Sequence, residues 1–71
     1  MQAMSLRKRS FTLSGHRTSV ALEPEVWAVL EAEAAKSSLS SLVAEIDRKR
    51  GARPLASALR LHALAANVRP S

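Results

Sequence analysis

The stretch Ser10-Phe11-Thr12-Leu13-Ser14-Gly15-His16-Arg17-Thr18-Ser19-Val20-Ala21-Leu22 decides the fold. Phe11 and Leu13 are apolar at odd positions, and Thr18, Val20 and Leu22 continue at even ones. Successive side chains of a strand point to opposite faces, so each half has the period of a strand with one apolar face. The parity changes at Gly15-His16. A two-residue turn with glycine first suits a type II′ hairpin. A hairpin turning there sets Phe11 opposite Val20 and Leu13 opposite Thr18, so the apolar residues share a face. Ser10, Thr12, Ser14, Arg17, Ser19 and Ala21 form the other.

Downstream the period becomes helical. Glu23-Pro24 ends the strand. Pro24 suits a first helical position, and Glu25 suits the positive end of the helix dipole. Val26, Trp27, Leu30 and Ala34 give this first helix a stripe to bury. Lys36-Ser37-Ser38 breaks it, and Ser38 can cap a second helix. Leu39, Leu42, Val43 and Ile46 then follow i, i+3, i+4, i+7 spacing, the clearest helical signal in the chain. Arg48-Lys49-Arg50 put positive charge at its end, with Gly51 as the residue after the cap. Pro54 opens a third helix with Leu55, Leu59, Leu61 and Leu64 as apolar anchors, fraying before Pro70. The expected class is α+β, mainly helical with a short β-ribbon. Residues 1–8 read as a flexible basic tail, 9–66 as one domain and 67–71 as a frayed terminus.

The chain has 71 residues. A core of that size rarely supplies more than about 3–5 kcal/mol without a staple. Cysteine is absent and there are only two histidines, His16 and His62, so neither disulfides nor a metal cluster is indicated. Oligomerisation is the staple left, and no cofactor is expected. The absence of cysteine agrees with a reducing cytoplasm, the expected location. No run is apolar enough to span a membrane or to serve as a signal-peptide core. The first 22 residues carry Arg7, Lys8, Arg9 and Arg17 and no acid, which also resembles a mitochondrial transit peptide. Their strand-like alternation argues against that. The net charge is +5, most of it in this segment. On charge alone, a polyanion partner and a basic surface kept for solubility both remain open.

Three blocks in order carry a closer likeness: His16 to Trp27, including Arg17-Thr18-Ser19-Val20-Ala21-Leu22-Glu23-Pro24; Ser38 to Asp47; and Ala56-Ser57-Ala58-Leu59-Arg60-Leu61. Together they resemble a family of short bacterial ribbon-helix-helix domain proteins, common in alphaproteobacteria, over roughly residues 8–64. The resemblance implies a homodimer in which each protomer gives one strand to an antiparallel ribbon that enters the DNA major groove. It implies base contacts from Arg17, Ser19 and Ala21, and phosphate contacts from the amides around Leu39 and Ser40 after Ser38. It implies a dimer core that includes Val20 and Leu22, to which the helical pattern adds Val26, Trp27, Leu30, Leu42, Val43 and Ile46. The charge pattern adds Arg7, Lys8 and Arg9 as phosphate contacts carrying no sequence information. The chain departs from the family where Lys36-Ser37-Ser38 replaces the usual glycine turn, and the interval from Trp27 to Ser38 is shorter.

The expected function is a DNA-binding transcriptional regulator. The competing reading is a protein-interaction module, antitoxin-like or an adaptor, whose C-terminal helix docks a partner. Pairing of residues 10–14 with 17–22 would favour that reading, since a broader sheet enters the groove less easily. A basic peptide lying on an anionic membrane is a third reading, opposed by Glu31, Glu33 and the strand segment. No enzyme is expected: no nucleophile elbow or phosphate-cradling loop is present, and the only glycines are Gly15 and Gly51.

Overall fold

A computed structural model describes residues 5–67. Two strands, β1 (Arg7–Leu13) and β2 (His16–Leu22), are followed by three helices, α1 (Pro24–Glu33), α2 (Leu39–Lys49) and α3 (Leu55–Asn67). β1 and β2 pair antiparallel in a two-stranded sheet. The extra N-terminal strand and the third helix are thus both present. Both strands of this ribbon come from one chain, whereas the resemblance implied one strand from each of two.

The register differs from the expected one. Leu13 pairs with His16, Phe11 with Thr18 and Arg9 with Val20. The turn residues are Ser14 and Gly15, not Gly15 and His16. Both are left-handed, at φ 53° and 80°. Two successive left-handed residues define a type I′ turn, whose twist matches that of the flanking strands. Moving the loop by one residue moves each partner by two. The faces are therefore unchanged: Phe11, Leu13, Val20 and Leu22 are buried, while Ser10, Thr12, Arg17 and Ser19 are exposed. The expected basic tail is also shorter than residues 1–8, because Arg7 and Lys8 are strand residues paired with Leu22 and Ala21. Residues 1–4 and 68–71, parts of the expected tail and frayed terminus, lie outside the described residues.

The helices cover the apolar face of the hairpin. The core joins Phe11, Leu13, Val20 and Leu22 to Trp27 and Leu30 of α1, Val43 and Ile46 of α2, and Ala58, Leu59 and Ala63 of α3. Val26 and Leu42 are only partly buried against it. The residues expected in a dimer core thus pack within a single chain. Leu59 is fully buried, but Leu61 and Leu64 are 44% and 59% exposed. This corrects the expected apolar side of α3, where the small Ala58 and Ala63 face inward instead. His62 is half-buried, with Nε2 3.6 Å from Glu33 Oε1.

Helix ends follow local chemistry. The Val26 amide donates to the Glu23 carbonyl at 2.9 Å, but the Glu23 side chain makes no cap. Its two carboxylate oxygens accept from Arg60 Nε at 3.0 Å and Nη2 at 3.2 Å, tying α3 to the β2–α1 junction. α1 ends at Ala34 with φ −92° and ψ 11°, and the Ser37 amide donates to the Ala34 carbonyl at 2.9 Å. Among the described residues only Ser14, Gly15 and Gly51 have positive φ. The α1–α2 turn therefore needs no left-handed residue, which explains how the chain does without the family's glycine. Gly51, at φ 62° just after α2, fills the expected role.

Two stability tests follow from this packing. Val20→Asp would bury an unpaired charge in the core and should abolish the cooperative thermal transition seen by circular dichroism. Ser10→Asp, on the exposed face, should change stability by less than about 0.5 kcal/mol. Similar damage from both would show that the face assignment is wrong. The second test concerns acid. The Arg60 hydrogen bond holds the Glu23 carboxyl below the usual glutamate range, helped by a backbone hydrogen bond and the Arg60 charge. A depressed folded pKa contributes stability that is present above the unfolded value and lost as pH falls through the folded one. Urea titrations should show Arg60→Gln less stable than the native chain at neutral pH, the gap closing on acidification.

Candidate nucleic-acid interface

The hairpin register builds a continuous polar face. Lys8 lies opposite Ala21, Ser10 opposite Ser19, and Thr12 opposite Arg17. Ser10 Oγ and Ser19 Oγ are 3.2 Å apart and share a hydrogen bond across the strands. The six side chains include two cations, three hydroxyls and one methyl, and no acid. Arg17 and Lys8 are exposed, and among the described residues neither has an ion-pair or side-chain hydrogen-bond partner. Arg17, Ser19 and Ala21 thus stand together on the outward face, as expected.

The cations of the body are arranged differently. Arg9 belongs to the inward row of β1 and is half-buried. Its guanidinium lies 4.9 Å from the Trp27 ring centroid and reaches Glu31 at 2.6 Å. The Trp27 indole Nε1 donates to the Arg7 carbonyl at 2.8 Å, and its ring centroid lies 6.0 Å from that of Phe11. The triplet Arg7-Lys8-Arg9 is therefore split. Lys8 joins the polar face, Arg9 fastens β1 to α1, and Arg7 sits exposed at the strand's start, opposite Leu22. On α2, Lys49 pairs with Glu45 at 3.2 Å and Arg50 with Asp47 at 2.7 Å. Arg48 is exposed without such a partner among the described residues.

The start of α2 is a second polar element. Ser38 is extended, at φ −137° and ψ 155°, and its Oγ accepts from the Ser41 amide at 3.0 Å. The same hydroxyl donates to Ser41 Oγ at 3.0 Å. The amides of Leu39 and Ser40, in the first turn, have no intrahelical acceptor. No acid lies in that turn, and Lys36 is exposed just before it. An oriented dipole with free amides suits an anion.

Sequence reasoning misses three features. It puts Ser10 and Thr12 on the outward face but not in the site, and Lys8 in a tail; the observed register carries the ladder back to Lys8 and sets it opposite Ala21. The Arg9–Trp27–Glu31 cluster and the Glu23–Arg60 pair join residues far apart in the chain, and no local pattern signals them. Among the described residues no cluster of His, Cys, Asp or Glu could hold a metal, and no helix is long and apolar enough to cross a membrane.

Comparison with known proteins agrees with this architecture. Residues 6–66 match the profile of the ribbon-helix-helix domain family, and the chain belongs to that family. No curated protein and no solved structure matches it. Ribbon-helix-helix domains are in general DNA-binding transcription regulators or antitoxins, non-enzymatic, and typically dimeric.

The Ser38 cap has a measurable weight. Ser38→Ala should lower stability by about 1 kcal/mol in urea denaturation, and Ser38→Gly by only a few tenths. Equal losses would mean that the hydroxyl cap contributes nothing.

Proposed function

We propose that this chain is a DNA-binding transcriptional regulator that acts as a homodimer and reads the major groove with the outward face of its ribbon. One observation supports it above the others. The face carrying Arg17 and Lys8, unpaired among the described residues, has hydroxyls between them and no acid, while Arg9, Lys49, Arg50 and Arg60 are paired and Arg48 at the end of α2 is not. In this reading Arg17 makes a bidentate contact with guanine, Ser19 hydrogen-bonds a base edge, and Ala21 packs on a thymine methyl. Lys8 and Arg7 meet phosphates, as do the Leu39 and Ser40 amides beside Ser38. Arg9 has a smaller part, because Glu31 and Trp27 hold it. A regulator of this kind works in the cytoplasm, with the chromosome.

A second reading has its own observations, the first being that β1 does pair with β2, and a sheet broadened in this way enters the groove less easily. Leu61 and Leu64 are exposed on α3, and an open groove of about 400 Å³ between α1 and α3 is lined by Val26, Val29, Ala63 and Leu64, with Glu23, Glu25 and Arg60 beside them. A protein partner docking there would make the chain an antitoxin-like or adaptor module.

Titration against mixed-sequence DNA at two salt concentrations separates the two. The regulator reading expects salt-dependent binding. Lys8→Ala should weaken all sequences alike and lower the slope of log K against log salt by about 0.9. Arg17→Ala should narrow the gap between a selected site and random DNA by about 1–3 kcal/mol for each arginine removed. If the native chain binds no DNA at low salt, the regulator reading fails and the docking reading takes its place.

A further inference from the structure

We propose that Ser10 is a phosphorylation site, and that one phosphate there cancels the charge of the polar face and releases nucleic acid. The proposal rests on the DNA-binding reading above and adds its control.

Position singles out this hydroxyl. Ser10 is exposed, two residues along β1 from Lys8 and diagonal to Arg17 across the ladder. Same-face neighbours on one strand stand about 7 Å apart. Diagonal neighbours stand about 7–8 Å apart. Thr12 faces Arg17 directly but lies about 13 Å along the strand from Lys8. Ser19 has both cations at similar distances, yet Arg17 is the only cation before it in β2. Ser10 directly follows Arg7, Lys8 and Arg9. Its hydroxyl shares one exposed hydrogen bond, with Ser19 Oγ at 3.2 Å. A neutral bond in contact with water is a small loss when the oxygen is esterified.

The backbone suits an enzyme that takes its substrate extended. A two-residue turn is closed by a hydrogen-bonded pair, here Leu13 and His16, and such pairs alternate along an antiparallel ladder. Lys8, Ser10 and Thr12 therefore direct their backbone groups away from β2. No backbone group among the described residues bonds to those three. Ser10 is the midpoint of β1, so an enzyme adding along that edge meets it with the hairpin still folded. Arg9 is held by Glu31 and Trp27, which leaves exposed Arg7 and Lys8 for the enzyme's acids to recognise.

Magnitudes show why one phosphate is enough. A phosphoserine carries a charge of about −1.5 to −2 at neutral pH. The polar face holds two cations, Lys8 and Arg17, and no acid. A single phosphate midway between them brings that face close to neutrality. Both side chains are long enough to turn and donate charge-assisted hydrogen bonds to its oxygens. The phosphate then occupies the cations that would meet nucleic-acid phosphates.

The donor is a nucleoside triphosphate. Ser10 Oγ bonds to the γ-phosphorus, and the bond from that phosphorus to the β,γ-bridging oxygen breaks. The diphosphate leaves with the electron pair, and the hydroxyl proton passes to a base of the kinase.

The full chain is treated with magnesium ATP and a purified serine kinase that selects substrates with arginine or lysine two and three residues before the hydroxyl. Mass spectrometry should place a phosphate on Ser10, and Ser10→Ala should take up none in β1. Modification of other hydroxyls with Ser10 left bare overturns the site. A second readout needs no DNA. Phosphorus NMR should show the phosphate's second ionisation, ordinarily near pH 6, lower in the folded chain than in the same chain unfolded in urea. Equal values overturn the contact with Lys8 and Arg17. The phosphorylated chain should bind mixed-sequence DNA at least about tenfold more weakly, with a salt slope reduced by about 0.9 for each cation occupied. Undiminished binding overturns the switch. So does loss of the helical circular dichroism signal on phosphorylation, because release would then come from unfolding. Failure of the DNA reading is distinguishable: the unmodified chain binds no DNA at low salt, while mass mapping and the phosphorus titration still decide the site.

Discussion

Two adjacent residues in the left-handed region, Ser14 and Gly15, set the geometry on which everything else depends. They fix where the chain reverses, and the reversal fixes which β1 residue meets which β2 residue. Because side chains alternate across a strand, that one choice puts Phe11, Leu13, Val20 and Leu22 under the helices, and Lys8, Ser10, Thr12, Arg17 and Ser19 in the open. Had the loop contained one residue more or fewer, one strand would have turned its apolar side to water. A serine is strained at φ 53°, but the twist of the turn matches that of the strands it joins.

The fold also sorts charge. Glu23, Glu31, Glu45 and Asp47 each hold a basic side chain of the body, so the acids are occupied where strands and helices meet or along a helix. On the hairpin, Lys8 and Arg17 stand on the face turned away from the core with no acid beside them, and Arg7 is exposed at the strand's start. Exposed pairs of this kind contribute little to stability singly, roughly 0–1 kcal/mol.

Much of this is legible in the sequence. Strand alternation gives the two faces of the hairpin, including the outward placement of Arg17, Ser19 and Ala21. The helical spacing from Leu39 to Ile46 gives α2, and Ser38 and Gly51 mark its ends. The position of the turn is not legible, because Ser14-Gly15 and Gly15-His16 both preserve the faces and differ only in backbone torsions. The inward side of α3 is also hidden. Leucine at 61 and 64 promises burial by hydropathy, yet Ala58 and Ala63 are the residues of that helix that join Leu59 in the core. The roles of Arg9 and Glu23 depend on partners brought close only by the finished fold.

Trp27 is the only tryptophan, and its ring meets Arg9 and Phe11 while its nitrogen holds the Arg7 carbonyl. All three of those partners lie on β1, although the indole itself belongs to α1. The chain's one strong intrinsic fluorophore is thus placed at the seam where the first strand rests on the first helix. Its emission reports on that seam. A loosening of β1 that left the helices intact would move the emission spectrum while the far-ultraviolet helical signal stayed still, so the molecule carries an optical gauge for the docking of a single strand.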